Sequence, residues 1–576
     1  MFSHRKINIL LLVTQYVLYF TAAWNPDQPH IIFIIADDLG WNDVGFRGSN
    51  QIPTPNIDAL AYNGIVLNRH YTLPCCSPSR AALLTGKYPI RMGLQGFPLI
   101  AGHADGMPLD EVLLPECLQK LGYITRLIGK WHLGTSKTSM TPTYRGFHSH
   151  FGYYNGYVGY KNGIHDWANV TGYDCYRNGK RSKEEVVGKY LTDVYTEEAV
   201  KVIKDHEKST EPLFLYLSHL APHAGAPGVL EVRNETENSS KFSYISDPSR
   251  RLYAGMMEAL DDSVGAVVEA LDSQNMLQKS VIIFIADNGG ITAWPFSQLQ
   301  NSASNWPLRG MKMSPFEGGV RGVSIAWSPL FKHLRKTSEE YMHISDWLPT
   351  LYSAAGGNAD LLEGLDGVNH WDYLIGKNTN SPRNELLVNI FEEVGDWGII
   401  KDKWKLVQVN ATRRHNITQL YFGESGRNGE KYSMDLVTTS RVSQILRRNQ
   451  PSDNLREEYA ERRATLDMTS ACAERIAAAA SSSTDPFIPL DRCHEAPCLF
   501  NIHMDPCEFH DVAEQHPSVV DALQELIKSH ASEVVPVQNH GFDPASHPKN
   551  WDGWWAPWLD KSEGRGNGHV VVHGYE

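Results

Sequence analysis

The chain has 576 residues, of which 42% are hydrophobic and 21% are charged, the balance of an ordinary globular protein. This length exceeds the range in which one hydrophobic core keeps growing, so we expect a large domain and a smaller one. The 66 acidic residues outnumber the 53 lysines and arginines, and the resulting net charge of −13 argues against a nucleic-acid-binding protein, because such proteins need a basic surface.

The first 23 residues have the order of a signal peptide: the basic start MFSHRK, an apolar run over 7–20, and the small residues at 21–23. An uncleaved anchor is the alternative, but the run is shorter than the about 20 residues that span a bilayer, and no later segment qualifies. We therefore predict entry into the secretory pathway, with a mature chain that starts near Trp24, has no stable membrane span, and is secreted or lysosomal.

The first strand candidates are short, continuous runs of β-branched and aromatic residues. His30–Ala36 and Val281–Ala286 are typical of strands buried on both faces of a parallel sheet. Between them, Leu213–Leu217 is another candidate strand, and the apolar residues of Tyr253–Leu271 recur at helical spacing. Strands and helices alternate, which predicts an α/β domain over residues 24–380.

Polar residues follow both long apolar strands. Asp37 and Asp38 come after the first, and Asp287 and Asn288 come after the second. Since ligands of open α/β sheets bind beyond the carboxyl ends of the strands, these oxygen-bearing side chains predict one shared site. The alternative is that they only begin turns, as Asp and Asn often do.

The densest motif is the run 75–89, CCSPSRAALLTGKYP. Ser77 is a good N-cap and Pro78 a good first helical residue, so we expect Cys76 just before a helix N-terminus, where free amides favour an anionic group. Arg80 adds a fixed cation with a planar set of donors. The alternative is that Cys76 is an ordinary buried or disulfide-bonded cysteine.

The run Cys76-Ser-Pro-Ser-Arg80, followed by Leu84-Thr-Gly-Lys87, resembles the signature of the sulfatases, which implies an alkaline-phosphatase-like fold. In that family the cysteine of this motif is converted to formylglycine in the endoplasmic reticulum by the formylglycine-generating enzyme. The resemblance implies that Cys76 becomes an aldehyde hydrate. One of its hydroxyls attacks sulfur, and the other expels the sulfate by collapse to the aldehyde.

The resemblance continues in chain order over most of residues 30–375 and implies a metal site. The implied ligands are carboxylates, an amide and the modified cysteine, and such a set of oxygens suits calcium better than zinc. The residues on the family's metal positions are Asp37, Asp38, Cys76, Asp287 and Asn288.

Further motifs imply the groups that handle the sulfate. Gly129-Lys-Trp-His-Leu-Gly134 matches the family's second motif, which makes Lys130 a sulfate ligand and His132 a partner for a formylglycine hydroxyl. His223 and Lys312 align with the remaining sulfate and leaving-group contacts. Sulfuryl transfer should resemble phosphoryl transfer, in which cations and a proton donor are the useful catalysts. Either His223 or Lys312 would protonate the departing alcohol. Taken singly, each histidine could instead be a core residue and each lysine a surface residue.

Within the family the likeness is strongest to the arylsulfatase B type, the N-acetylgalactosamine-4-sulfatases. This likeness implies a sulfated galactosamine of dermatan or chondroitin as substrate, but residues 413–490 do not match. Because loops set specificity, small aryl or plant-derived sulfate esters such as glucosinolates are the alternative. The likeness rests on segments 88–95, 305–310, 317–322, 364–372 and 381–387.

The sequence leaves two other functions open. The first is a phosphomonoester or phosphodiester hydrolase on the same scaffold, although such enzymes often use two metals and the sequence offers ligands for one. The second is a non-catalytic glycan-binding relative. The chain lacks the H-E-x-x-H, G-x-S-x-G and Walker A motifs of zinc proteases, serine esterases and P-loop proteins.

Beyond about Ser381 the pattern changes. Trp397–Val407 is typical of antiparallel strands, which predicts a smaller α+β domain on an antiparallel sheet over residues 381–576. Residues 424–490 are polar and charged and include the low-complexity run 477–484, so we interpret them as an insertion that is partly helical and mobile.

Cysteines and sequons agree with an oxidising compartment, in which most of the eight cysteines should pair. We expect a local Cys498–Cys507 bridge. The alternative, a zinc cluster that adds Cys493 and His494, matches no standard finger spacing. Once Cys76 is modified, seven cysteines remain, and Cys75 is the candidate for the unpaired one. N-glycosylation sequons begin at Asn169, Asn234, Asn238, Asn410 and Asn416.

Overall fold

The computed structural model describes residues 28–292, 301–410, 423–427, 432–449, 451–472 and 492–560. The candidate signal peptide, the sequon at Asn416 and the run 477–484 lie outside the described residues. Within the described ranges, no helix combines the length and the apolar character that crossing a bilayer requires.

The strands of the described residues are numbered in chain order: β1 His30–Ala36, β2 Ile65–Tyr71, β3 Ile124–Lys130, β4 Ser149–Tyr153, β5 Ile164–Trp167, β6 Val170–Tyr173, β7 Tyr176–Arg177, β8 Lys180–Arg181, β9 Leu213–Ser218, β10 Ser280–Ala286, β11 Ser324–Trp327, β12 Lys336–His343, β13 Glu385–Phe391, β14 Asp396–Lys401, β15 Trp404–Gln408 and β16 Cys498–Asn501. The α-helices are α1 Pro55–Asn63, α2 Cys76–Thr85, α3 Leu114–Lys120, α4 Leu191–His206, α5 Glu235–Lys241, α6 Pro248–Ser273, α7 Glu317–Val320, α8 Trp347–Ala354, α9 Trp371–Leu374, α10 Met434–Thr438, α11 Arg441–Arg447, α12 Leu455–Leu466 and α13 Pro517–Ala531.

A mixed sheet of ten strands forms the centre of the large domain, in the order β12-β2-β11-β10-β1-β9-β3-β4-β7-β8. Its middle strands β10, β1, β9, β3 and β4 are parallel, and antiparallel pairs flank them. The predicted strands at 30–36, 213–217 and 281–286 are confirmed, and their apolar runs are continuous because both faces are buried. The α/β class is thereby confirmed.

Helices cover this sheet in two groups. Helix α6 contacts both α1 and α4, and α2, α3 and α8 contact one another. The middle strands are buried on both faces, so both faces of the sheet are covered. The predicted helical stretch 253–271 lies within α6, whose apolar residues face the core.

The smaller sheet is antiparallel, in the order β13-β14-β15-β16. The predicted strand segment 397–407 is confirmed as β14 and β15, joined by a turn at Asp402, which has a positive φ of 53°. One face of this sheet packs on α13 through Leu523 and Ile527, and the other packs against Phe316 and Val320 of the large domain. Successive side chains of a strand point to opposite faces, so both faces of this sheet make apolar contacts.

The predicted insertion is partly helical, as expected, in the part that the structure describes. Its helices α10, α11 and α12 contact α1, and α11 also contacts α6, so they pack on the large domain. Tyr432 donates a hydrogen bond to Asp58 at 2.7 Å, and Asn63 donates one to Tyr459 at 2.6 Å. These described parts are docked on the large domain.

The predicted Cys498–Cys507 bridge is wrong. Cys498 pairs with Cys493, and Cys507 pairs with Cys472, which also removes the zinc alternative. The reason is the strand pairing: Val409, just after β15, donates its amide hydrogen to the Cys493 carbonyl and so holds Cys493 beside β16. Cys75 is unpaired as predicted, and the other unpaired cysteines of the described residues are Cys76, Cys117 and Cys175.

The sequons differ in accessibility. Asn169, Asn234 and Asn410 are exposed. Asn238 is buried, and its side-chain amide donates to the Arg251 carbonyl at 3.0 Å, so the folded chain does not offer it for glycosylation.

Candidate active site

The carboxyl ends of adjacent parallel strands bring the predicted site residues to one edge of the large sheet. Strands β10, β1, β9 and β3 are neighbours, and their ends align in register. The strand ends supply most of the residues: Asp37 and Asp38 after β1, Asp287 and Asn288 after β10, Lys130 and His132 at and beyond the end of β3, and His223 after β9. Helix α2 adds Cys76 and Arg80, and the loop at 301–316 adds Lys312.

Helix α2 begins two residues earlier than expected. Cys75 is its N-cap and Cys76 its first residue, so the assignment of Ser77 as the cap is wrong. The Ser77 hydroxyl instead accepts a hydrogen bond from the amide of Leu99 at 3.1 Å, which ties the neighbouring loop to the helix. Cys76 still lies in the first turn, where the helix dipole favours negative charge.

Two carboxylates that follow neighbouring strands, those of Asp37 and Asp287, are each paired with a cation. The Lys130 ammonium lies 2.6 Å from Oδ2 of Asp37, and the Arg80 guanidinium donates to Oδ2 of Asp287 at 2.8 and 3.1 Å. Arg80 also donates to the Ser218 hydroxyl at 2.5 Å. Burial opposes ionisation of Asp37, yet Lys130, His223 and Arg80 hold its pKa below the usual value.

Asp38 is the centre of a second set of contacts. Its Oδ1 lies 2.6 Å from the Lys312 ammonium and accepts a hydrogen bond from the Asn288 amide at 2.6 Å. Its Oδ2 lies 3.4 Å from Nε2 of His223. Burial alone would lower the pKa of Lys312, but Asp38 and the other anions of the site raise it well above its usual value.

Several carboxylate and amide oxygens of the site make no hydrogen bond and could bind a cation. Oδ1 of Asp37, Oδ2 of Asp38 and Oδ1 of Asn288 are buried and have no hydrogen-bond partner. Buried acceptors without partners are costly, and hard oxygens are the ligands that calcium and magnesium prefer. Asp37, Asp38 and His223 each offer an atom within 4.8 Å of the other two, so His223 borders the predicted metal group. Asp287 is also close, and its Oδ1 accepts from the Asp38 amide at 3.1 Å.

Cys76 faces a histidine. Its sulfur lies 3.3 Å from Nδ1 of His132, and Nε2 of His132 lies 2.9 Å from the Leu99 carbonyl oxygen. Burial raises the pKa of the Cys76 thiol, although Lys130 and Lys312 oppose that shift. An unmodified thiol here would therefore stay protonated and be a weak nucleophile.

The structure also shows contacts that sequence reasoning missed. Ser218 holds Arg80, the Leu99 carbonyl holds His132, and the ring of Tyr157 stacks on His223 with centroids 5.6 Å apart. Ser218 was one residue beyond a predicted strand end, a place where ligands are expected. The other two contacts join distant parts of the chain and leave no local sequence signal.

The comparisons with known proteins agree with this site. The family model described as "Sulfatase" matches residues 29–357, a range that contains all of the predicted site residues. Arylsulfatase J of Mus musculus is 34% identical over 542 residues, which cover 92% of this chain and 80% of that protein. N-acetylgalactosamine-6-sulfatase of Homo sapiens is 32% identical over 370 residues, which cover 60% of this chain and 66% of that protein.

Solved structures share the fold. Ps i-CgsB superposes with a TM-score of 0.66 at 28% identity, over 93% of this chain and 99% of that one. A phosphonate monoester hydrolase of Agrobacterium radiobacter superposes with a TM-score of 0.50 at 16% identity, over 88% of this chain and 96% of that one. The second likeness concerns the fold alone.

Proposed function

The chain belongs to the sulfatase family and is a hydrolase of sulfate esters, and we propose that it acts through a formylglycine made from Cys76 beside a calcium ion. The observation that carries this proposal is the position of Cys76. It lies in the first turn of α2, 3.3 Å from His132, within the electrostatic influence of Lys130, Lys312, Asp37 and Asp287.

Two groups supply chemistry that the twenty ordinary side chains lack. A formylglycine hydrate at position 76 supplies one hydroxyl that attacks sulfur and a second that allows the sulfate to be released. A calcium ion, held by Asp37, Asp38, Asp287, Asn288 and the modified residue 76, supplies positive charge for the sulfate oxygens. The unpartnered oxygens of Asp37, Asp38 and Asn288 support this ligand set.

The chain's own residues then bind, orient and move protons. Lys130 and Lys312 hold the equatorial sulfate oxygens, where negative charge accumulates in a loose transition state. Arg80 keeps Asp287 in place through its two hydrogen bonds. His132 accepts a hydrogen bond from a hydroxyl of residue 76, and either His223 or Lys312 gives a proton to the departing alcohol.

We propose a sulfated glycan as the substrate, with N-acetylgalactosamine sulfate of a glycosaminoglycan as the first candidate. One relative is named N-acetylgalactosamine-6-sulfatase, and Ps i-CgsB was solved in complex with k-i-k-neocarrahexaose. The likeness to the arylsulfatase B type favours the 4-sulfate, and small aryl or plant-derived sulfate esters are the alternative. A panel of sulfated mono- and disaccharides and aryl sulfates, with the desulfated product identified, separates these substrates.

The modification has a direct test. We expect the peptide that carries Cys76, from protein secreted by cells that contain the formylglycine-generating enzyme, to have the mass of formylglycine. Cys76→Ala should abolish sulfate release from a chromogenic aryl sulfate. Cys117→Ala is the matched control, because Cys117 is also a buried, unpaired cysteine but lies on α3, and it should retain activity. Full activity with an unmodified Cys76 would overturn the proposal.

A further inference from the structure

We propose that Tyr157 is a positioning residue for His223, and that the C-terminal segment 551–558 holds Tyr157 in place through His165. The inference rests on the proposed function in one respect, that His223 faces the sulfate ester. It concerns residues outside the sulfatase motifs, two of which lie almost four hundred residues apart in the chain.

A hydrogen bond sets the tautomer of His223 and restrains one edge of its ring. Nδ1 lies 2.6 Å from the Ala224 carbonyl oxygen, which can only accept, so Nδ1 carries the hydrogen. Nε2 is thereby turned toward Asp38 at 3.4 Å. Tyr160 donates to the His223 carbonyl at 2.9 Å and fixes the backbone. These contacts hold the ring at its edges and leave its faces to be held by packing.

Tyr157 holds one face of the His223 ring. Its ring lies nearly parallel to the His223 ring, with an interplanar angle of 20° and centroids 5.6 Å apart. An offset stack of this kind favours one plane for the imidazole, and a tyrosine face also attracts the ring when it is protonated. Tyr157 is 9% exposed, so it is itself closely packed. We infer that the stack keeps Nε2 aimed into the site.

Tyr157 is fixed at both ends by strand β5. Its hydroxyl donates to the Asp166 carbonyl at 2.9 Å. Nδ1 of His165 donates to the Tyr157 carbonyl at 2.6 Å, and the two rings meet edge to face with centroids 4.8 Å apart. The position of Tyr157 therefore depends on the position of His165.

The C-terminal segment supports His165 from behind. The ring of Trp555 lies 5.6 Å from that of His165 at an angle of 71°, and its indole nitrogen donates to the His165 carbonyl at 3.2 Å. Trp555 is in turn held by Tyr176, which donates to its carbonyl at 2.5 Å, and by its own amide, which donates to Tyr173 at 3.0 Å. The order of contacts is thus Trp555, His165, Tyr157, His223.

The energetic consequence follows from how sharply catalysis depends on position. A displacement of about 1 Å in a reacting group can lower a rate by about 10²-fold, even when the change is made at a distance. Loss of the stack should lower kcat through His223 and leave KM for a small aryl sulfate nearly unchanged, because the cations that hold the sulfate are untouched.

A double-mutant cycle tests the inference on the full-length, formylglycine-bearing enzyme. With a chromogenic aryl sulfate, Tyr157→Leu should lower kcat by about 10–100-fold with little change in KM, whereas Tyr157→Phe, which keeps the ring, should stay within about threefold. In a His223→Ala background, Tyr157→Leu should change kcat by less than about twofold, because the residue it positions is gone. The exposed Tyr144→Leu is the matched control and should behave as the parent in both backgrounds.

The inference is overturned if Tyr157→Leu keeps the parent's kcat, or if it lowers kcat by the same factor in both backgrounds. If a thermal unfolding measurement shows that Tyr157→Leu is not folded, Trp555→Leu and Trp555→Phe replace Tyr157→Leu and Tyr157→Phe in the same cycle. The same two results for kcat would then overturn the inference. A parent enzyme that releases no sulfate would contradict the proposed function, whereas an active parent with additive losses would contradict only the role of Tyr157.

Discussion

Nδ1 of His132 faces the sulfur of Cys76 at 3.3 Å, while Nε2 of the same ring donates to the Leu99 carbonyl at 2.9 Å. Because a carbonyl oxygen only accepts, the neutral ring presents its unprotonated nitrogen to residue 76. Burial and Lys130 lower the pKa of His132 well below its usual value, which favours this neutral form. The ring is therefore set to accept a hydrogen bond from a hydroxyl at position 76.

Replacement of His132 tests that arrangement. We expect His132→Ala to lower kcat on an aryl sulfate by about 10²–10⁴-fold, the range for loss of a group that handles a proton in the transition state. Peptide mass spectrometry should show residue 76 still converted, so that the loss is one of catalysis. The exposed His333→Ala is the control and should keep the parent's rate. A fully active His132→Ala enzyme would exclude any role for the ring.

Calcium binding has a readout that does not depend on activity. A ligand that binds only the folded state stabilises it by about 2.7 kcal/mol at a hundred times its dissociation constant. We therefore expect calcium to raise the unfolding temperature of the chelator-treated enzyme, and Asp38→Asn to abolish or greatly reduce that rise. Asp372→Asn, at an exposed carboxylate on α9, should leave the rise unchanged. An equal calcium-dependent rise in Asp38→Asn would remove Asp38 from the ligand set.

Some of this structure was predictable because its cause is local. The strands at 30–36 and 281–286 are buried on both faces, and that burial requires an uninterrupted apolar run. The site followed from the resemblance in motifs together with the rule that ligands bind beyond the carboxyl ends of parallel strands. Asp37 and Asp287 are close because β1 and β10 are neighbours, and Lys130 reaches Asp37 from β3, on the other side of β9.

Other features depend on contacts that no local pattern encodes. The Cys493–Cys498 pairing follows from the register of β15 and β16, and Cys507 forms its disulfide with Cys472 of the insertion. The start of α2 differs from the predicted one because the Ser77 hydroxyl is engaged by the distant Leu99 amide. The stack on His223 likewise joins separate segments of the chain, and Trp555, which supports His165, lies 390 residues beyond it in sequence.

The contact between the two sheets includes a fully buried ion cluster. Lys405 on β15 lies 2.9 Å from a carboxylate oxygen of Glu317 on α7 and 2.9 Å from one of Glu508, and all three side chains are buried. Removal of one partner from a buried set leaves an uncompensated charge, so we expect Lys405→Met to lower the unfolding free energy by roughly 3–5 kcal/mol. Urea unfolding measures the change.

Strand β14 offers the matched control for Lys405. Lys401 also makes an ion pair, at 2.9 Å with Glu385, but its side chain is 40% exposed. Because solvent screens exposed pairs, Lys401→Met should cost less than about 1 kcal/mol. Equal losses for the two variants would show that burial of the Lys405 cluster is not what makes it important.

Burial of His219 predicts a dependence of stability on pH. Burial lowers its pKa from 6.5 to about 3, and Nε2 lies 2.9 Å from the Ser263 hydroxyl. Between these pKa values the unfolded chain binds a proton at this residue and the folded chain does not. The stability that neutral His219 contributes is therefore complete above pH 6.5 and is lost as pH falls toward about 3.

The variant His219→Gln cannot take up that proton, so the comparison isolates one residue from the other titrating groups. We expect the unfolding free energy of the parent minus that of His219→Gln to fall by up to about 1.4 kcal/mol for each pH unit below the unfolded pKa. Urea unfolding between about pH 7.5 and pH 4.5 measures this difference. The exposed His333→Gln should give a difference that barely changes over the same range, because solvent surrounds this side chain in the folded as well as in the unfolded chain. A difference for His219→Gln that is just as flat would mean that this ring is protonated in the folded protein, in spite of its burial.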